Sequence, residues 1–170
     1  MTSHPSIYNF KILIRQAEYN SVAFHIRRTD KLKHESPLFP ATDYVQKLLE
    51  VLEEESIPAE TVEVCYLATD DPSVHFEMAD ALQDGGLSCR LVFTGENDNH
   101  GSTKERYSVE AGLEFMAEFS VMLETTFFIG TFNSNVGTLA AALRGCPGFH
   151  DPTKHYARSY GVDQDRWYIR

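Results

Sequence analysis

Four short apolar runs rich in β-branched and aromatic residues, at 22–26, 62–68, 89–93 and 125–130, read as strands. After each, a polar turn intervenes and the apolar spacing changes to the 3.6-residue period of a helix. The first helix is predicted over 42–55, with Thr42 as its cap and Tyr44, Val45, Leu48, Leu49 and Leu52 as its buried stripe. The second opens at Asp71-Pro72, a capping carboxylate followed by proline at the first helical position, and stops at Gly85-Gly86. The third spans 108–124 and is expected to bury Leu113, Met116, Val121 and Met122, with Phe119 a further candidate. The fourth starts near 134 and sets Val136, Leu139, Ala140 and Leu143 against the sheet. Strand–helix alternation of this kind predicts an α/β fold, a Rossmann-like parallel sheet flanked by helices. One domain over 1–170 is expected: a lead-in at 1–20, a core at 21–144 and an irregular C-terminal wrap at 145–170. A polar loop falls at 95–104, and no internal repeat is present.

Composition adds boundaries to that picture. With 42% apolar and 24% charged residues the 170-residue chain is ordinary for a globular domain. A net charge of -10 argues against a nonspecific nucleic-acid surface, which needs a basic field. The charge is uneven, however. Glu50, Glu53, Glu54 and Glu55 form an acidic cluster, while Arg27, Arg28, Lys31 and Lys33 form a compact basic one that suits a small anionic ligand. Of the three cysteines, Cys65 and Cys89 sit in apolar runs and read as small buried hydrophobes. With Cys146 the count is odd and suggests no disulfide framework, and the spacing fits no zinc site. No run approaches a membrane span, and the first ten residues lack a signal-peptide pattern. Taken as a complete chain, it is expected to be cytoplasmic and without direct membrane contact.

In an open parallel sheet, ligands bind beyond the carboxyl ends of the strands. Three polar turns fall there: His25-Ile26-Arg27-Arg28-Thr29-Asp30-Lys31, Thr69-Asp70-Asp71-Pro72 and Thr131-Phe132-Asn133-Ser134-Asn135. Arg27 and Arg28 could grip phosphate oxygens bidentately, and Ser134 with its neighbouring amides opens a helix that favours an anion. By spacing alone the arginine pair is equally a solvated surface pair or a structural ion pair with Asp30. Asp70-Asp71 could hold a divalent metal, but a helix-capping Asp71 is the stronger reading. No glycine-rich phosphate fingerprint follows the first strand, and no Gly-x-Ser-x-Gly elbow exists. His75, His100, His150 and His155 are scattered without ligand spacing.

At these turns the chain resembles a known family. The stretch from His25 to Lys31 is similar to the His-x-Arg-Arg-Thr-Asp-Lys motif of the α1,6-fucosyltransferases and the rhizobial nodulation fucosyltransferases, glycosyltransferase family 23. Tyr66-Leu67-Ala68-Thr69-Asp70-Asp71-Pro72 resembles their second motif, and Arg106-Tyr107 with the Thr131 to Val136 stretch resembles the third region. The likeness covers residues 21–144 and implies the C-terminal, donor-binding half of a two-domain, GT-B-type enzyme. It implies GDP-fucose as donor and inverting, metal-independent transfer of L-fucose to a glycan hydroxyl, α1,6 to N-acetylglucosamine. By the same likeness Arg27 holds the β-phosphate, with His25, Arg28, Asp30, Ser134 and Asn135 nearby. Asp70 and Asp71 orient the donor beside Tyr44. Glu118 stands where the family reads guanine with an aspartate, keeping both acceptor oxygens on a longer arm. Glu35 matches the proposed general base, and Lys31 joins Arg27 in the catalytic set. A family member of full length implies the Golgi lumen, N-glycan modification and an N-terminal acceptor domain beyond this chain.

Two other functions compete with a transferase domain: a non-catalytic GDP-sugar-binding module, and a Rossmann-like scaffold that keeps the motifs as structure. The first of these predicts GDP binding without turnover. The second predicts no nucleotide affinity at all.

Overall fold

A computed structural model describes residues 20–28, 39–93, 109–132, 134–144 and 158–162. The described elements run β1 (Ser21–Ile26), α1 (Ala41–Glu54), β2 (Val64–Thr69), α2 (Val74–Asp84), β3 (Arg90–Phe93), α3 (Val109–Glu124), β4 (Phe127–Gly130), α4 (Asn135–Arg144) and β5 (Arg158–Gly161). The strands form one parallel sheet in the order β3-β2-β1-β4-β5. The Rossmann-like expectation is met.

β1 is buried along its whole length because it lies mid-sheet with helices on both faces. Its even residues Val22, Phe24 and Ile26 pack with Tyr44, Val45, Leu48 and Leu52 of α1 and Met78 and Leu82 of α2. Across the sheet, Ala23, Tyr66 and Phe128 pack with Phe119, Val121 and Met122 of α3 and Ala140 of α4. Side-chain alternation along each strand thus assigns α1 and α2 to one face and α3 and α4 to the other. The chain builds outward from β1 to β3, then returns to β1's other side with β4. The order therefore reverses between β1 and β4, which opens a crevice at their carboxyl ends.

Several expectations are corrected. Cys65 and Cys89 are not free thiols but a disulfide, closing a span of 24 residues with Cα atoms 5.8 Å apart. Parallel pairing of Cys65 with Leu91 brings the lead-in to β3 alongside β2, a proximity that an odd cysteine count cannot reveal. On chain entropy alone a loop of that size is worth about 3 kcal/mol. Leu113 and Met116, expected in the core, are 66% and 59% exposed, because only the C-terminal half of α3 reaches the sheet. Leu139 is likewise half-exposed, and α4 meets its neighbours through Gly137, Ala140 and Arg144. Leu49 is only partly buried, its place on the stripe taken by Val51.

Thr42 does not cap α1: Pro40 holds that position, without a side-chain bond. α2 begins at Val74, later than expected, and the Asp71 carboxylate accepts from the Ser73 amide (2.9 Å) and hydroxyl (2.6 Å) in the preceding turn. Asp71 is therefore a turn-former at the helix entrance, close to the capping role expected. The helix stop falls as expected, with Gly86 in the left-handed region at φ 72°. Within the supposed irregular wrap, Arg158–Gly161 forms an edge strand on β4. The lead-in at 1–19 and the loop at 95–104 lie outside the described residues.

Candidate functional site

The crevice is built from the ends of β1 and β4, paired at His25 and Gly130. β4 ends at Gly130, and from Thr131 the chain turns into α4. The Thr138 amide donates to the Ser134 carbonyl at 2.8 Å, the first bond of the helix, so Ser134 is its N-cap. A serine there ordinarily accepts a hydrogen bond from an amide of the first turn. Here the Ser134 hydroxyl is buried, at 1% exposure, and has no hydrogen-bond partner.

A second unpartnered group lies at the same corner. His25 points to the α3/α4 face, parallel to the Phe128 ring with centroids 6.5 Å apart, and its Nδ1 is buried without a partner. A Cβ built on Gly137 would stand 3.5 Å from that Nδ1 and collide with the Thr131 carbonyl oxygen, so only glycine lets α4 come so close. The Ser134 amide approaches the same Thr131 oxygen. Burial holds the His25 pKa down to about 4, with Asp70 opposing and Arg27 assisting, so the imidazole is neutral at pH 7. A neutral imidazole, an uncommitted hydroxyl and the first amides of a helix thus share one desolvated corner.

The other face of the β1 tip carries a fixed network. The Arg28 amide donates to Asp70 Oδ1 at 2.7 Å. Its guanidinium grips Glu77 bidentately, Nη1 to Oε2 at 2.6 Å and Nη2 to Oε1 at 2.9 Å, and Nη2 also donates to the Phe39 carbonyl at 3.3 Å. The hydrogen bond to Glu77 raises the Arg28 pKa, with Asp71 and Tyr44 close enough to add to it. The same bond lowers the Glu77 pKa.

Of the residues singled out in the sequence, His25, Arg27 and Ser134 gather on the α3/α4 side of the β1 tip. Arg28, Tyr44 and Asp71 gather on the α1/α2 side, Tyr44 buried in the core, while Asp70 stands at the tip itself, accepting from the Arg28 amide and close enough to His25 to act on its charge. A structural ion pair does form at Arg28, with Glu77, while Asp30 lies outside the described residues. Asn135 is the exposed first residue of α4. Glu118 is half-buried nine residues into α3, about 13 Å from the Val109 start at helical rise. Asp30, Lys31 and Glu35 lie outside the described residues, as do Arg106, Tyr107 and Asn133.

Glu77 was missed by sequence reasoning, since its partners lie 36 and 49 residues away. Arg144 was missed as well: 1% exposed, it donates to the carbonyls of Met122, Leu123 and Thr126 at 2.7, 3.2 and 2.9 Å. A lone arginine ending an apolar helix was the available signal. Among the described residues no group of three or more His, Cys, Asp or Glu could hold a metal ion, and no helix is long and apolar enough to cross a membrane.

Comparison with known proteins adds the family. Crystal structures of POFUT1 superpose on this chain: the GDP complex with a TM-score of 0.54 at 13% identity, covering 92% of this chain and 47% of that one. A POFUT1 complex with GDP-fucose gives a TM-score of 0.55 at 13% identity, covering 92% of this chain and 46% of that one. The chain thus spans about half the length of that protein, and likeness at this identity speaks for the fold. No curated protein sequence matched. The family model for the alpha-(1,6)-fucosyltransferase N- and catalytic domains matches residues 14–158, and the chain belongs to that family.

Proposed function

We propose that this chain is the donor-binding half of a fucosyltransferase, taking GDP-fucose and passing L-fucose to a glycan hydroxyl, α1,6 to N-acetylglucosamine. The observation that carries the reading is the unpartnered pair, Ser134 hydroxyl and His25 Nδ1, buried at the N-terminus of α4 beside the sheet's switch point. Polar groups in such a place remain costly until something bonds to them, and helix amides select an anion. A nucleoside diphosphate satisfies both conditions. POFUT1, the same fold, has been crystallised with GDP and with GDP-fucose.

In this reading Arg27 and the α4 amides stabilise the charge that grows on the departing diphosphate, which makes a metal unnecessary. Arg28, Asp30, Asp70, Asp71 and Asn135 line the donor, Tyr44 backs Arg28 from the core, and Glu118 reads the guanine. Glu35 takes the acceptor proton as the hydroxyl attacks the anomeric carbon from the face opposite GDP, inverting it, with Lys31 assisting. The acceptor comes with a further domain. The Cys65–Cys89 disulfide favours an oxidising compartment, in keeping with the Golgi lumen and N-glycan substrates rather than the cytoplasm.

Calorimetric titration with GDP and GDP-fucose in EDTA tests this. Wild type is expected to bind both. Arg27→Ala and Ser134→Ala are each expected to lose about tenfold or more in affinity, since charge-assisted bonds to the ligand are worth roughly 1.5–3 kcal/mol. For Ser134→Ala, whose hydroxyl has no partner among the described residues, the melting temperature should hold. No binding by a folded wild type would overturn the donor reading, and binding that needs Mg²⁺ or Mn²⁺ would overturn the metal-independent part.

A further inference from the structure

A cation that served only to grip phosphate would keep its forked end for the ligand. Arg28 does not, because both of its Nη atoms are held by Glu77 and one also by the Phe39 carbonyl. What remains is Nε, buried and without a partner. Its backbone amide is tied as well, to Asp70. Glu77 is itself held at a second point: its Oε1 accepts from the Ala41 amide at 2.7 Å, the first N–H of α1. One carboxylate near the start of α2 therefore binds the end of β1 and the start of α1 together.

We propose that Glu77 is a positioning residue of the donor site, fixing the Arg28 guanidinium so that its Nε–H is presented in one orientation. The inference rests on the donor-site reading above and adds a residue that touches no ligand. Arginine has five donors in a rigid plane, so fixing one edge on a carboxylate fixes the direction of the remaining N–H. Rotamer freedom that would otherwise be lost on binding is already lost in the free protein. The ion pair also balances the Arg28 charge locally, which makes orientation, rather than field, its contribution to the site.

Glu77→Asp separates orientation from charge, because it keeps the carboxylate and shortens the arm by one methylene. Aspartate cannot span Arg28 and Ala41 together from the same backbone position. GDP affinity, measured by calorimetry beside the melting temperature, is expected to fall about tenfold in Glu77→Asp, a coupling typical of residues in one network. In an Arg28→Ala background the same substitution is expected to leave GDP affinity unchanged. Glu77→Gln provides a second variant should the aspartate fail to fold: its amide oxygen still accepts from Ala41 while the ion pair is lost, and the same tenfold fall is expected. Wild-type affinity in both variants, with only the melting temperature lowered, would make Glu77 a structural cap and overturn the proposal. A further loss in the Arg28→Ala background would also overturn it, since Glu77 would then act other than through Arg28. A wild type that binds no GDP removes the donor reading itself, and this inference with it.

Discussion

His25 shows how one residue ties the site to the stability of the fold. It occupies the last position of a fully buried strand on the α3/α4 face, where charging the imidazole means holding a cation out of water. Its folded pKa of about 4 lies below the ordinary histidine value of 6.5, so between those values the unfolded chain binds more protons than the native one. Stability is therefore complete above pH 6.5 and declines as pH falls toward 4, by about 3 kcal/mol from this group. Urea titrations of wild type and His25→Gln across that range should show the slope in the first and a flatter line in the second. Equal slopes would mean that other groups set the acid limit. The depressed Glu77 contributes stability of the same sign, which is lost as pH falls from the ordinary glutamate range through its own lowered pKa. His25, Arg28, Asp70 and Ser134 were legible in the sequence because strand ends are readable and unusual polar residues stand out there. Which of them was committed to structure was not legible: the fork of Arg28 is spent on Glu77, 49 residues away, and only three-dimensional packing makes that pair.

Among the elements, α3 and α4 illustrate a joint that patterning alone does not disclose. The last carbonyls of a helix have no partners within it, and a cation near them also meets the negative end of the dipole. Arg144, ending α4, supplies both for α3 through the carbonyls of Met122 and Leu123, and extends to Thr126 at the entry of β4. Burial lowers its pKa to about 10, so it stays charged at neutral pH and remains a donor. Arg144→Ala takes the guanidinium from three carbonyls, of which that of Met122 keeps a second donor, the Thr125 hydroxyl at 3.3 Å, and is expected to cost about 3 kcal/mol, read as a shift in the urea midpoint at unchanged slope. Arg144→Lys, which reaches fewer of them, should fall between. A loss under 1 kcal/mol would mean that water takes over the carbonyls. The sequence pattern placed the elements well but could not rank their faces. Leu113, Met116 and Leu139 match the helical period as well as Val121 and Met122 do, and periodicity cannot say how far a helix overhangs its sheet. β5 escaped for the converse reason: Arg-Ser-Tyr-Gly carries no apolar run, because an edge strand needs only backbone pairing with β4.

At the scale of the whole molecule, the order β3-β2-β1-β4-β5 decides where chemistry can happen. The helix that follows β1 packs on one face of the sheet and the helix that follows β4 on the other, so the switch point between the two strands has the N-terminus of α4 beside it. That architecture was readable from strand–helix alternation, while the position of the switch was not, since strand order depends on crossovers that no local pattern records. On the proposed reading this crevice takes the nucleotide of the donor, and the acceptor is met by a further domain. The POFUT1 chains it resembles are about twice as long, with 92% of this chain accounting for 47% of that one. If the acceptor site lies mainly on the other half, donor binding and transfer must separate experimentally. The expected outcome is that the 170-residue chain binds GDP-fucose in calorimetry yet transfers no fucose to N-acetylglucosamine-bearing glycans. A longer form carrying the remaining half should restore transfer, and Glu35→Gln within it should abolish turnover while sparing donor affinity. Transfer by the short chain alone would place the acceptor site on this half. Donor binding by the longer form without turnover, whatever the glycan, would favour the non-catalytic module, because a donor site needs only the crevice, whereas catalysis needs a base on the acceptor's side of it.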